Sequence, residues 1–284
     1  MSRYEYHKPT SLEEAFQLFD TSQGAKFIAG GTDLLVQMRN RVVSPTALVS
    51  LRDLEELQGV RIGETTRIGA GTTITDIIEH PELARRFPIL VDASRLVGSV
   101  QIRNTATIGG NICNSSPCAD TVIALLVLDA NIRIQNRNGI REMAIADFFL
   151  GPKQNILQQG EILTEIVLPS QPSTVRHAIY KKGRVKMDMS VASVAVLLDM
   201  HESRCRKARV SAGSCAPTTL RLNAVEKMFE GQTITEQLLE KAVREALKCV
   251  SPICDVRSTD EYRRQLVGVY LGRGVRKIMG WDAL

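Results

Sequence analysis

The sequence contains no CxxC pair, so its six cysteines (Cys113, Cys118, Cys205, Cys215, Cys249 and Cys254) lack the tight spacing that usually announces a zinc site or an iron–sulfur cluster. It has no HExxH and no Ser-His-Asp or Cys-His arrangement. His7, His80, His177 and His201 are scattered and fall in no motif, which leaves hydrolytic chemistry without visible apparatus. Neither GxGxxG nor GxxxxGK[ST] occurs, which excludes Rossmann and P-loop phosphate sites. The longest apolar run, Val122–Leu128, holds seven residues, far short of the roughly 18 that cross a membrane. The N-terminal stretch MSRYEYHKPTSLEE has no apolar core of the kind a secretory signal needs, so the expected compartment is the cytoplasm. There the cysteines stay thiols. Charge of one sign is scarce: the net charge is +5, and the basic residues form no cluster. A dedicated nucleic-acid binder clusters them; an anionic ligand, an acidic partner or a plain solvated surface all suit this balance.

What is present is an ordinary globular composition, 44% hydrophobic and 24% charged, in 284 residues, enough for a large core and for two domains. The segment TSLEE (10–14) offers a capping box before a helix carrying Leu12, Ala15, Phe16 and Phe19. Strand 26–29, a helical turn at 34–38 and a buried strand at 47–51 follow. Short strands at 60–62 and 67–70 precede helical pieces at 75–79, 82–87 and 89–96, and a further helix at 119–127. An alternating strand at 131–135 runs into Asn138-Gly139, a hairpin signal. Strand 162–168 ends at Pro169, and SQPS (170–173) reads as a linker. Beyond it, strand-like runs at 176–181, 191–200 and 207–212 come before helical runs at 221–229, 235–249 and 259–278. Strands first and helices later predict a separate α+β domain.

Two segments echo each other. KFIAGGTDLL (26–35) and ATIGGNICN (106–114) each place two consecutive glycines after an apolar run and before a small polar residue. Glycine admits positive φ and lets a ligand approach where a Cβ would stand. Successive N–H groups at such a turn make a concave anion site, and a helix start adds its dipole. A diphosphate needs donors on both sides, so two such loops predict a dinucleotide held in a way other than the Rossmann one.

AGGTDLL (29–35), QIRNTATIGGNICNSSPCAD (101–120), GEILTEIVLP (160–169) and SPICDVRSTDEYRRQL (251–266) resemble the FAD-binding (medium) subunit of molybdenum hydroxylases, the xanthine dehydrogenase and carbon monoxide dehydrogenase medium-chain family, over nearly the whole chain. The resemblance implies an α+β chain. Residues 1–170 would form a vanillyl-alcohol-oxidase (PCMH)-type FAD-binding domain of two α/β subdomains (about 1–55 and 56–170). Residues 174–284 would form a C-terminal domain with a small antiparallel sheet and helices. It implies an oxidoreductase subunit of a heterotrimer, with FAD as cofactor and no metal of its own. The partners would be a [2Fe-2S] small subunit, a molybdenum-cofactor large subunit, and NAD or another acceptor, with no nucleic acid and no membrane.

Carried over residue by residue, Lys26, Phe27, Ile28, Ala29, Gly30, Gly31, Thr32, Asp33 and Leu34 match the family's first FAD loop, which packs on the diphosphate and ribityl portion. Thr107, Ile108, Gly109, Gly110 and Asn111 match the second loop. Asp120 matches an acidic residue that hydrogen-bonds the cofactor, and Leu163 an apolar residue of the adenine or ring environment. Lys181, or Lys182 beside it, matches a basic position near the flavin, since the stretch GRVKMDMS (183–190) is shorter than in relatives. No catalytic side chain is implied. Plainer roles stand beside these: Asp33 as a helix cap, Asp120 as a first-turn residue complementing a helix dipole, Arg103 as a surface cation or a phosphate contact. Cys113 and Cys118 serve either as structural thiols or in redox or metal chemistry. The alternative function is a self-sufficient FAD-dependent reductase of the same fold, such as the enolpyruvyl-UDP-GlcNAc reductases, which need their own proton donor.

Overall fold

A computed structural model describes residues 4–281; the outermost three residues of each expected domain, 1–3 and 282–284, lie outside it. The chain opens with β1 (Glu5–His7), α1 (Leu12–Thr21), β2 (Lys26–Ile28), α2 (Leu34–Arg39) and β3 (Ala47–Ser50). The three strands form a small parallel sheet in the order β1-β3-β2. Ser11 caps α1, its Oγ accepting the Glu14 N–H, while Glu14 reaches back to the N–H and hydroxyl of Thr10, one residue before the cap, instead of to the Ser11 N–H of a full capping box. β1 carries no apolar alternation and escapes a periodicity search.

Then come β4 (Val60–Arg61), β5 (Thr65–Gly69), α3 (Ile74–Glu79), α4 (Pro81–Arg86), α5 (Pro88–Arg95), α6 (Val100–Arg103), α7 (Ile108–Cys113), α8 (Asp120–Val127), β6 (Asn131–Asn136), β7 (Gly139–Ala144), β8 (Phe149–Gly151), β9 (Gln154–Asn155) and β10 (Ile162–Pro169). β4, β5, β10, β6 and β7 form an antiparallel sheet in that order. The expected hairpin is present, but its two-residue turn is Arg137-Asn138, one residue before the expected Asn138-Gly139: Gly139 already opens β7 and pairs with Asn136.

The last third holds β11 (Val175–Lys182), β12 (Ala192–His201), β13 (Arg204–Gly213), β14 (Leu220–Arg221), α9 (Asn223–Phe229), α10 (Glu236–Cys249) and α11 (Asp260–Met279). Its four strands pair antiparallel in chain order and the three helices follow, the arrangement that the strands-then-helices pattern predicts.

The apolar run is α8, and every one of its side chains is buried. It packs against α5 and α7 on one side and against β12 and β13 on the other, so it serves both halves of the molecule. Both ends are pinned by carboxylates. Asp120, at the first turn, pairs with Lys181 of β11. Asp129, just past the last turn, accepts from Arg209 at 2.5 Å, Arg221 at 2.8 Å and Lys207 at 3.2 Å. Arg221 also donates to the Leu126 carbonyl at 2.8 Å, satisfying a helix-end acceptor, and forks onto Glu226. Burial works against the Asp129 carboxylate, but the arginines outweigh it and hold its pKa below the ordinary value.

Arg221→Met should therefore cost about 3 kcal/mol, since it leaves the buried Glu226 without its cation, removes one of the three cations on Asp129 and frees a helix carbonyl. Arg221→Lys should recover only part of that, because an ammonium cannot fork. Urea unfolding of the two variants checks both; equal stability of all three proteins would show that the clamp does not hold α8.

Candidate functional site: a two-loop cradle at the head of a buried helix

The first glycine pair sits between β2 and α2. Gly31 has φ +68°, the left-handed region that glycine enters freely. Gly30 has a different reason to be glycine: a Cβ there would lie 1.9 Å from the Thr105 carbonyl oxygen, in the run-in to the second loop. The two loops touch backbone to backbone, and only an absent side chain permits it. Among the described residues, no acceptor meets the backbone N–H groups of Ala29, Gly30, Gly31, Thr32 or Asp33. Five consecutive half-buried N–H groups are left for something outside the chain.

The second pair is built differently. Thr107 caps α7, its Oγ accepting the Gly110 N–H at 3.0 Å. Ile108 donates to Thr72, Gly109 to Ala70 and Asn111 to Thr107. The donors expected from this loop are thus mostly spent inside the chain. Gly109 is buried, and a Cβ on it would strike Ala70 at 2.6 Å; Gly110 is exposed, in helical rather than positive-φ geometry, and a Cβ on it would meet only Thr107 Oγ, at 3.0 Å. The packing of the chain requires the glycine at 109. At 110 it leaves open surface.

Lys153, which the sequence reading missed, ties the loops together. Its Nζ contacts Asp33 at 3.3 Å and Asn114 at 2.5 Å. It lies in a tight turn between β8 and β9 with no motif around it. Asp33 precedes α2 without a side-chain cap, and its other bond goes to Gln37. Asn111 accepts from Thr121 Oγ at 2.6 Å, which fixes the second loop on α8. At the head of α8, Lys181 Nζ donates to Asp120 Oδ2 at 2.7 Å and to the Leu96 carbonyl at 2.8 Å. Asp120 Oδ1 is buried and has no partner. Burial, opposed by Lys181, raises the Asp120 pKa from its ordinary 3.8 to about 6.

Other expected residues are placed apart from these groups. Lys26 is exposed at the start of β2, Phe27 stacks on Phe19 of α1 at 4.4 Å, and Ile28 is buried beside Met38 and Leu48. Leu34 begins α2 and packs at the edge of the same group. Leu163 is buried in the main core. Lys182, the neighbour of Lys181, is exposed. One Arg103 amino group is spent on the Val97 and Gly98 carbonyls. Burial raises the Cys113 thiol pKa to about 12. A cleft of about 630 Å³ lies elsewhere, between α1 and the β6–β7 turn; none of the expected residues lines it.

The cradle suits a dinucleotide with a polyol. The chain offers it unclaimed N–H groups at 29–33, of the kind that suit an anion, open surface at Gly110, and the unpartnered acceptor Asp120 Oδ1. The model of the FAD-binding domain in molybdopterin dehydrogenase matches residues 2–171, and that of the CO dehydrogenase flavoprotein C-terminal domain matches 178–278. The chain belongs to the FAD-binding subunits of the molybdenum hydroxylases. This flavoprotein is 33% identical over 266 residues to the xanthine dehydrogenase FAD-binding subunit of Escherichia coli O157:H7, covering 92% of this chain and 91% of the relative. It matches a chain of the carbon monoxide dehydrogenase of Hydrogenophaga pseudoflava with a TM-score of 0.95 and 31% identity over 98% of each chain. A chain of quinoline 2-oxidoreductase from Pseudomonas putida 86 matches with a TM-score of 0.92 and 26% identity, over 98% of this chain and 97% of that one. The mixed α+β architecture expected from the sequence is the fold of that dehydrogenase subunit. The flavoprotein is an oxidoreductase subunit, and its cofactor is FAD.

The glycines separate by experiment. Gly30→Ala should destabilise the fold outright, with a marked fall in melting temperature, since backbone must move. Gly110→Val should leave the C-terminal domain folded while flavin retention falls at least about ten-fold, because the new side chain fills space the chain itself does not use. Absorbance ratios after gel filtration measure retention, and wild-type occupancy in Gly110→Val would contradict the cradle.

A pH series tests Asp120. Its folded pKa is raised, so its stabilising contribution is fully present below the unfolded value, near pH 4, and is lost as pH rises through about 6. In urea unfolding of flavin-free protein, the balance between wild type and Asp120→Asn should move toward the variant by up to about 3 kcal/mol over that window and then level off. A constant difference would mean an ordinary carboxylate.

Proposed function

We propose that this chain holds FAD noncovalently as the electron relay of a cytoplasmic heterotrimeric molybdenum hydroxylase. In this reading a molybdenum-cofactor large subunit oxidises the substrate, a [2Fe-2S] small subunit carries the electrons onward, and NAD or another acceptor removes them from this chain. Bound FAD would supply the redox chemistry, and the protein would supply binding, orientation and electrostatics. The observations that carry the reading are the row of unclaimed N–H groups at 29–33 and the unpartnered, buried oxygen of Asp120.

Each residue then has a task. The N–H groups of Ala29 to Asp33 would hold the diphosphate. Thr107 and Asn111 would fix α7 so that Gly110 offers it an open surface. Asp120 would accept a cofactor hydroxyl, and Lys181 would keep that carboxylate charged and in place. Phe27, Ile28 and Leu34 would set the loop's height through their packing, and Leu163 would support the wall behind it. Lys26 would stay at the surface. The proposed FAD domain (1–170) and C-terminal domain (174–284) meet at SQPS, and the Asp120 to Lys181 contact spans that division. Among the described residues no helix is long and apolar enough to cross a membrane, and no group of three or more His, Cys, Asp and Glu residues could hold a metal ion. The names of the relatives, medium chains and FAD-binding subunits, support assembly with other chains.

The isolated chain should bind FAD, release all of it on denaturation, and pass electrons from NADH to an artificial dye. It should oxidise no purine, aldehyde or carbon monoxide until co-expressed with its cluster-bearing and molybdenum-bearing partners. Substrate turnover by the lone chain at the rate of the complex would overturn the relay reading in favour of a self-sufficient flavoenzyme.

A further inference from the structure

Asp33 carries two opposed groups. Its backbone N–H is the last of the unclaimed row at 29–33, and its side chain is a carboxylate. An anion drawn to the row would meet a like charge borne on the same residue. Gln37 donates to that carboxylate but leaves its charge in place. Among the described residues, the cation paired with it is Lys153, whose Nζ lies 3.3 Å from Oδ1 and 3.4 Å from Oδ2.

Delivering an ammonium to this point strains the chain. Lys153 has φ +61°, the left-handed region that disfavours a lysine and suits a glycine. Its N–H donates to the Ser115 carbonyl at 2.9 Å. Asn155, two residues on, donates to the Cys113 carbonyl and to Ser115 Oγ, both at 2.9 Å. The β8–β9 turn is thereby pinned to the end of α7, where Asn114 receives Lys153 Nζ at 2.5 Å. Stability is a poor account of the ion pair with Asp33. Both side chains stand about half exposed, and pairs of that kind add little to a fold. An ammonium has three N–H donors. Asp33 and Asn114 take two of them, and the third has no acceptor among the described residues.

We propose that Lys153 is the residue that lets the 29–33 row take a diphosphate: its ammonium offsets the Asp33 charge and keeps one donor for the phosphate oxygens. This rests on the placement of FAD proposed above and adds to it a charged binding residue from outside both glycine loops. Asp33 is tolerable in the cradle only while Lys153 stands beside it. The two residues therefore act as a pair toward the cofactor and hardly at all toward the fold. A lysine that only tied the loops together would behave otherwise, because removing the Asp33 carboxylate would cut the same tie.

The test uses the full chain, freed of flavin and titrated with FAD by calorimetry at low and at high salt. Urea unfolding of the flavin-free proteins runs alongside. Lys153→Met should weaken FAD binding about ten-fold at low salt, and the gap should narrow at high salt. Asp33→Asn should bind FAD at least as tightly as wild type. The double variant should bind at least about three-fold tighter than Lys153→Met alone, since the like charge is gone with the lysine. All of these proteins should share one urea midpoint. Binding by Asp33→Asn as weak as by Lys153→Met, no gain in the double variant, or a urea midpoint that falls with the affinity would overturn the proposal. Gly110→Val separates the two ideas. If neither it nor Lys153→Met alters FAD affinity, the placement of the diphosphate is wrong. If Gly110→Val loses flavin while Lys153→Met keeps wild-type affinity at both salts, only the role of Lys153 falls.

Discussion

Helix α8 is the constraint on which the rest depends. A helix that is apolar on every face has no solvent side to orient it, and hydrophobic burial is non-directional. Its position along its own axis must be set by polar groups at its ends. Asp120 and Asp129 do this, and both draw their partners from the C-terminal sheet. The second half of the chain is thus the frame that holds the site-bearing helix of the first. Ser211 Oγ adds a fixed point midway, donating to the Ile123 carbonyl at 2.7 Å.

The two ends are not equivalent, and the difference is physical. Asp129 meets three cations and is only half-buried, so ion pairing wins over desolvation and the carboxylate stays charged at all ordinary pH. Asp120 meets one cation and is almost fully buried, so desolvation wins and its pKa rises. One oxygen of Asp120 satisfies Lys181. The other is left idle at a cost, in a chain that satisfies most of its buried polar atoms. The idle acceptor of Asp120 and the idle donors of 29–33 are the polar groups that a bound cofactor would satisfy in the proposed reading.

The sequence displayed some of this and hid the rest for definable reasons. The glycine pairs were visible because glycine marks backbone geometry directly, yet identical letters conceal different causes: contact with Thr105 at Gly30, positive φ at Gly31, contact with Ala70 at Gly109, open surface at Gly110. Only coordinates separate them. The β6–β7 hairpin, to within one residue, and the Ser11 cap of α1 were legible because their physics is local. Lys153 was not, since its role comes from Asp33 and Asn114, which are distant in sequence. At the second loop most of the N–H groups, those of Ile108, Gly109, Gly110 and Asn111, are paired inside the chain, and periodicity carries no trace of such pairing.

The missing acid–base set gains meaning from this architecture. An enzyme that does its own chemistry needs titratable groups aimed at a substrate, each tuned toward the working pH. Here one carboxylate near the cradle is shifted toward that range, and it is clamped by a lysine on one side. The remaining groups are backbone donors, open surface and packing. Such a site can hold and orient a redox cofactor, but it offers nothing to move a proton onto or off a carbon atom. In the relay reading proposed above, the cofactor would carry the redox chemistry and the chain would hold it in place.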